Sequence, residues 1–469
     1  MKEPAIPSIV WSAPLFDRSG FADEARQFIL ALDQAGFDVR ADPFLRHPWQ
    51  VRLPGGAGER IERLLAAEVP SRFVHVVHGS PHDLRRHPRA AYAVARTMFE
   101  TQDAPAELAA CDDFDEIWVP SPFNVETFAR AGIDRARLHA VPEPIDTSRY
   151  DPAPPPLPLA GLEERFVFLS VFSWHLRKGW DALVRAYRAE FSADEPVTLA
   201  LKFEPYLPHT PTVAEAHRRL QSYVEAELRG DLAQGPPIVL LDLDLSDADL
   251  PRLYRAADAY VMASRGEGWG RPYLEAMAAG LPTIGTRAGG NLAFMHDDNA
   301  YLVDTTPVPV PALGWEEVPW YRGHRWAEPS IPQLRAAMRR VFEERDEAAA
   351  RGARAREEIL ARYGWERIAA CVKERLREAG VAAQRAPAIR PRVAEADVPR
   401  VVWEGDFFRE HSFAVVNREL CRALLGTGGV DLALRADPAV GPLAASPALA
   451  GLLARCDRAP RDPDVHVRH

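Results

Sequence analysis

Ser264-Arg-Gly-Glu-Gly-Trp-Gly-Arg-Pro-Tyr-Leu-Glu-Ala-Met-Ala-Ala-Gly280 sets two carboxylates, Glu267 and Glu275, eight positions apart (275 − 267) across a glycine-rich turn that opens a helix. Gly266, Gly268 and Gly270 let a backbone approach a ligand closely, and the N–H groups of a helix start are oriented donors for an anion. Pro272 suits a first helical turn, and Leu274, Met277 and Ala278 follow at helical spacing. Glu275 is thereby expected near a helix N-terminus, where its carboxylate accepts two hydrogen bonds from a vicinal diol such as a ribose. Glu267, earlier in the turn, is placed for a different hydroxyl-bearing group. The same letters also serve as packing punctuation, with two glutamates complementing a helix dipole.

Around this turn the chain alternates short apolar runs with amphipathic stretches. Ser8–Trp11, Phe73–Val77 and Glu116–Val119 read as strands; Ala22–Ala35, Ala90–Phe99 and Asn124–Ala131 read as helices. After the proline-dense Asp151–Pro158, which suits a stiff connector, the pattern restarts. Phe166–Phe172, Val197–Phe203, Pro237–Leu241 and Ala259–Met262 read as strands, and Asp181–Phe191, Leu250–Ala256 and Tyr273–Ala279 as helices. This alternation is the mark of doubly wound parallel sheets. Arg335–Arg356 reads as one solvated helix with an apolar stripe, followed by another over Trp365–Ala379.

The composition bounds the function. With 469 residues, several domains are expected; 47% hydrophobic content supports a substantial core, and a net charge of −10 argues against nucleic acid as a partner. Cys111, Cys371, Cys421 and Cys456 follow no metal-ligand spacing and are expected to be buried apolar residues in a reducing compartment. The N-terminus lacks the apolar core of a secretory signal, so a cytoplasmic protein is expected, with peripheral contact at the inner face of a membrane left open.

The Glu267 to Glu275 spacing and the surrounding loop resemble the Glu-x7-Glu donor site of retaining glycosyltransferases of family 4. Thr97–Glu100, Trp118–Phe123, Val141–Asp146 and His324–Ser330 are similar to that family as well, so the resemblance covers about residues 8–380. It implies an α/β GT-B fold, two Rossmann-like doubly wound domains facing each other across a cleft. The expected division is an N-terminal acceptor domain over 1–158 and a nucleotide-sugar domain over 159–385, whose last helices cross back. It also implies an enzyme that moves a sugar from a nucleotide diphosphate sugar to an acceptor hydroxyl with retention, in building a surface polysaccharide or a glycolipid. The partners would be the nucleotide sugar and a carbohydrate or lipid-linked acceptor.

By the same resemblance Lys178, in Arg177-Lys178-Gly179, holds the diphosphate as a point charge. Gly20, Arg177, Gly268, Trp269, Gly270 and Glu275 join it in donor binding, and Lys178, Glu267 and His78 form the catalytic set. His75 and His82 compete with His78. Where relatives carry an arginine five residues before the lysine, this chain has Ser173. Either Arg177 supplies that charge, or fewer cations hold the diphosphate, or activity is reduced. No cofactor and no metal are expected. Asp242-Leu-Asp244 has suitable letters but leads into Ser246, and turn chemistry is the better reading. A non-catalytic carbohydrate-binding or scaffold module within a multi-transferase protein is the alternative from another class. A phosphorylase-like enzyme with a pyridoxal-linked lysine is a second.

Beyond Arg385 a linker over 386–400 leads to a self-similar segment. Val402-Trp403, Phe408, Phe413-Ala414, Arg418, Ala423-Leu424 and Gly428 repeat Val10-Trp11, Phe16, Phe21-Ala22, Arg26, Ala31-Leu32 and Gly36 at one offset of 392 (403 − 11 and 428 − 36). Val465-His466-Val467 echoes Val74-His75-Val76 at 391 (466 − 75). Self-similarity at a fixed period signals a repeated unit. Residues 401–469 are therefore expected to begin a second glycosyltransferase unit, a partial N-terminal domain in tandem with the first; a self-contained C-terminal cap is the competing reading.

Overall fold

The computed structural model describes residues 8–16, 19–44, 55–203, 212–243, 245–246, 248–385, 400–405, 431–436 and 465–468. The linker, most of the C-terminal repeat, Cys421, Cys456 and Asp244 lie outside these residues. By packing, the chain divides into a first unit of Met1–Arg96, Ala110–Ile117 and Val372–His469 and a second of Thr97–Ala109 and Trp118–Cys371.

The first large sheet contains β1 (Ile9–Ala13), β2 (Val39–Pro43), β3 (Val74–His78), β4 (Tyr92–Arg96), β5 (Glu116–Val119) and β6 (Leu138–Ala140) in the order β2-β1-β3-β4-β5-β6. β1 runs parallel to β2 and β3, and β3 parallel to β4. Every residue of β1 and β3 is buried. Strands covered on both faces read as continuous apolar runs rather than alternating ones. β4 is the casualty of that rule, because Ala90–Phe99 carries a run that a buried helix would also show, yet it forms a strand. Ser19 caps the helix Gly20–Gln34, its hydroxyl accepting from the Ala22 N–H at 3.2 Å. Trp11 stacks on Phe28 of that helix with ring centroids 5.3 Å apart.

The second large sheet contains β7 (Phe166–Val171), β8 (Val197–Lys202), β9 (Ile238–Leu241), β10 (Ala259–Val261), β11 (Thr283–Thr286) and β12 (Tyr301–Val303). Its order is β12-β11-β10-β7-β8-β9, and all its pairs run parallel. Strand order reverses between β7 and β10, the position at which open α/β sheets place ligands. The loops leaving these two strands carry Lys178 and Glu267. An excursion follows β12: β13 (Thr305–Pro309) and β14 (Arg325–Pro329) pair antiparallel, with the short helix Ala312–Glu317 and the turn Pro319–Tyr321 between them.

The stretch expected as one helix over Arg335–Arg356 is two, Ile331–Glu343 and Arg345–Tyr363. Glu344 between them leaves helical geometry with ψ of 56°. Leu334, Met338 and Val341 are buried as the stripe requires. The last long helix, Trp365–Arg385, contributes its residues from Val372 onward to the first unit, where Arg375 pairs with Glu116 at 2.7 Å. Cys111 is buried as expected, but Cys371, on the outer face of this helix, is exposed.

At the C-terminus β15 (Arg400–Gly405), β16 (Asp431–Ala436) and β17 (Val465–Arg468) form a parallel sheet in the order β16-β15-β17. The order matches β2-β1-β3. Trp403 pairs with Val467 and Val402 with His466, just as Trp11 pairs with Val76 and Val10 with His75. The outer pairing is shifted by one residue: Trp11 faces Ala41, and Trp403 faces Leu434 where an offset of 392 would give 433.

Candidate donor site of the second unit

The chain leaving β7 makes a one-turn 3-10 segment, Leu176–Lys178, that ends at Gly179 with φ of 68°. A Cβ on Gly179 would lie 1.8 Å from the Ala263 carbonyl oxygen, so only glycine lets the loops after β7 and β10 come this close. The Arg265 N–H donates to the Arg177 carbonyl at 2.7 Å and locks the two loops together. Lys178 and Glu267 meet as a result. The Lys178 Nζ lies 2.6 Å from the Glu267 Oε1, and the Ser264 hydroxyl donates to the same oxygen at 2.6 Å.

Arg177 reaches the Gly266 carbonyl and the Glu267 Oε1, the latter at 3.3 Å, and its other nitrogen lies 3.5 Å from Glu100. The Tyr321 hydroxyl donates to the second Glu100 oxygen at 3.0 Å. Lys178, Arg177 and Glu267 are therefore one buried charge cluster. Burial pushes the Lys178 amine below its ordinary range, Glu267 opposing and Arg177 reinforcing. Burial also pushes the Glu267 carboxyl up, but Lys178 and Arg177 outweigh it and the net direction is down.

The glycines of the opening stretch mostly make room for protein. A Cβ on Gly266 would lie 2.3 Å from the Glu100 carbonyl oxygen, and one on Gly268 would lie 2.6 Å from the Met98 sulfur. The Gly268 carbonyl accepts from Ser121 at 3.0 Å. Gly270, with φ of 96°, starts the helix Arg271–Ala278. Trp269 is 1% exposed and packs its ring on Phe294 and Tyr363 at 5.0 and 5.5 Å, so its side chain is core and only its backbone remains for a ligand. Glu275 accepts from the Tyr254 hydroxyl at 2.9 Å and lies 3.8 Å from the Arg271 guanidinium. Arg271 also bonds Glu143 at 3.1 Å, and Arg265 is chelated by Asp181 and Glu328. Both arginines that flank the carboxylate turn are thus held by carboxylates of the protein.

In the first unit Gly20 is exposed at the start of its helix. His78, expected at an accessible strand end, is wholly buried among Trp11, Phe21 and Phe28. Its Nε2 lies 3.1 Å from one Glu24 oxygen while Arg96 binds the other at 2.8 Å through Nε, and with these partners Glu24 is lowered to about 2 against the upward push of burial. The imidazole thus holds a carboxylate and offers no surface to a sugar. His75 is also buried, in contact with the Ser12 hydroxyl at 2.8 Å and accepting the His87 N–H at 2.9 Å; burial lowers it to about 3, so it stays neutral. His82 is half-exposed, 3.5 Å from Asp83.

Three partners escaped the sequence reading: Glu100, Tyr321 and Tyr254. Glu100 closes the segment Thr97–Glu100 that drew notice only for its resemblance; no spacing links it to a tyrosine 221 positions later. Among the described residues no group of three or more His, Cys, Asp or Glu side chains is placed to hold a metal ion, and no helix is long and apolar enough to cross a membrane.

Residues 163–309, the segment containing both site loops, match the family model of glycosyl transferases group 1. Over 360 residues the chain is 25% identical to the GDP-mannose-dependent alpha-(1-6)-phosphatidylinositol monomannoside mannosyltransferase of Mycobacterium tuberculosis H37Rv, covering 71% of this chain and 83% of that protein. It is 25% identical over 257 residues to the mannosylfructose-phosphate synthase of Agrobacterium fabrum, covering 52% of this chain; here the match spans about half of the relative, 53%. Among solved structures, Anabaena Alr3699/HepE in complex with UDP-glucose aligns with a TM-score of 0.56 at 14% identity, over 79% of this chain and 100% of that one. Sucrose-phosphate synthase of Thermosynechococcus elongatus aligns at 0.55 and 18% identity, over 80% and 100%. The fold is the two-domain α/β fold of GT-B glycosyltransferases.

Proposed function

We propose that this chain is a hexosyltransferase that takes a sugar from a nucleoside diphosphate sugar and passes it, with retention, to an acceptor hydroxyl. The observation that carries the reading is the meeting of Lys178 and Glu267 at 2.6 Å, delivered by the two loops that leave β7 and β10 at the strand-order reversal of the second sheet. The match of residues 163–309 to group 1 transferases falls on the same loops.

In this reading the Lys178 ammonium binds the diphosphate and stabilises the charge that grows on the departing oxygen. The bond from the anomeric carbon to that oxygen breaks, and the bond to the acceptor oxygen forms on the same face. The acceptor's proton passes to the departing phosphate. Glu267 addresses the transferred sugar, Glu275 the ribose diol, and the backbone of Gly268, Trp269 and Gly270 lines the donor. Gly20 leaves backbone N–H groups accessible in the first unit, and cations rather than a metal carry the charge. Two relatives named above are a mannosylfructose-phosphate synthase and a phosphatidylinositol monomannoside mannosyltransferase, which fits a sugar or lipid-linked acceptor. The strand order and inner register of β15–β17 support the start of a second such unit after residue 400.

The test is hydrolysis of nucleoside diphosphate sugars by the wild-type protein and by its Lys178→Ala and Glu275→Ala variants. Loss of turnover in both supports transfer, and full activity in Lys178→Ala overturns the assignment. One observation favours the non-catalytic alternative: Arg177, the stand-in for the arginine that Ser173 replaces, is already held by Gly266, Glu267 and Glu100. Absence of turnover in the wild-type protein would decide for it.

A further inference from the structure

The excursion between β13 and β14 is the part of the second unit that no strand of the sheet requires, and its contacts converge on the two site loops. The Leu176 N–H, which opens the turn carrying Lys178, donates to the Glu317 Oε2 at 2.7 Å from the end of the helix Ala312–Glu317. Four residues on, the Tyr321 hydroxyl bonds Glu100, the carboxylate beside Arg177. From β14, Glu328 takes the Arg265 guanidinium through both oxygens, at 2.5 and 2.9 Å, and the Ala327 N–H donates to the Arg265 carbonyl at 2.8 Å. Arg265 in turn donates to the Leu176 carbonyl at 2.6 Å. Leu176 is therefore held at its N–H by the excursion itself and at its carbonyl by a side chain that the excursion fixes.

We infer that this excursion is a clamp that positions the Lys178 turn for a diphosphate, with Glu317 and Tyr321 as its positioning residues. Glu317 acts through Leu176, and Tyr321 through Glu100 and Arg177. Pinning the turn before a ligand arrives spares the ordering cost that a loose loop would meet on binding. A 3-10 turn so short has poor hydrogen-bond geometry of its own and needs outside partners to keep its shape. The inference rests on the transfer reading only for the identity of the ligand.

Glu317→Ala removes the acceptor, whereas Glu317→Gln keeps a side-chain oxygen in its place; Tyr321→Phe removes only the hydroxyl. Hydrogen exchange of the amides over residues 173–181 is to be measured by mass spectrometry in the full chain, alongside melting temperature and titration with UDP and GDP. The clamp requires that Glu317→Ala speed exchange across this segment by about tenfold, the equivalent of one lost charge-assisted hydrogen bond, while Glu317→Gln restores it and distant peptides exchange as in the wild type. Tyr321→Phe is expected to loosen the same segment less. For whichever nucleotide binds, affinity falls in Glu317→Ala and returns in Glu317→Gln. Wild-type exchange over 173–181 in Glu317→Ala overturns the clamp, as does faster exchange throughout the protein. Failure of the wild-type chain to bind either nucleotide counts against the transfer reading, while the exchange result still decides the clamp.

Discussion

At the scale of single residues, Gly179 shows how little latitude the site has. Alanine there would be forced into a left-handed conformation and would meet the Ala263 carbonyl 1.8 Å away, so Gly179→Ala is expected to part the loops after β7 and β10. A lowered melting temperature with nucleotide affinity reduced to background would show this; a variant that melts and binds as wild type would contradict it. Glu24 makes the corresponding point in the first unit. Its carboxyl, ordinarily at 4.5, titrates at about 2 when folded, a depressed value, so its stabilisation is complete above about pH 4.5 and lost as pH falls toward 2. Glu24→Ala leaves Arg96 buried without its carboxylate and is expected to cost about 3–5 kcal/mol at neutral pH, with denaturant unfolding as the check. The variant should also lose part of the wild type's decline in stability below pH 4.5. The buried role of His78 was not legible in the sequence, because its partners Glu24 and Arg96 lie 54 positions before it and 18 after it (78 − 24 and 96 − 78). The loops that carry Lys178 and Glu267 were legible by their local signatures, but the bond from the Ser264 hydroxyl to Glu267 was not.

At the scale of elements, β1, β3, β5 and β7 to β10 were legible as short apolar runs, whereas the helix Val213–Leu228 went unread despite its cap. Thr212 and Glu215 form a reciprocal capping box at the start of the helix Val213–Leu228, the threonine hydroxyl accepting from the Glu215 N–H at 3.3 Å. Thr212→Ala is expected to cost about 1 kcal/mol, read as a shifted denaturation midpoint with unchanged slope. β4 was misread since four of its five residues are buried, and periodicity cannot separate a buried strand from a buried helix segment. The helix break at Glu344 has no glycine or proline to announce it. β13 and β14 were invisible for another reason: Pro307 and Pro309 argue against a strand, yet each is tolerated in a hairpin that stands apart from the main sheets.

At the scale of the whole molecule, the doubly wound architecture followed from the alternation of strand and helix, and the return of the chain to its first unit from the family resemblance. Removing residues 386–469 is expected to leave both large sheets intact, because the pairing of Arg375 with Glu116 lies before the cut. Unchanged nucleotide binding and one cooperative melt in the shortened protein would show it; aggregation or loss of binding would tie the C-terminal sheet to the stability of the rest. The contact between Lys178 and Glu267 has a consequence for selectivity. Glu100 and Glu267 bring two negative charges to the two positive ones of Arg177 and Lys178, so the cluster is self-neutralised. If Lys178 takes a diphosphate as proposed, a free anion such as phosphate has to compete there with an internal counterion. On that proposal, a ligand whose hydroxyl groups also bond the displaced carboxylate recovers the loss, and the ion pair would act as a filter against incomplete ligands.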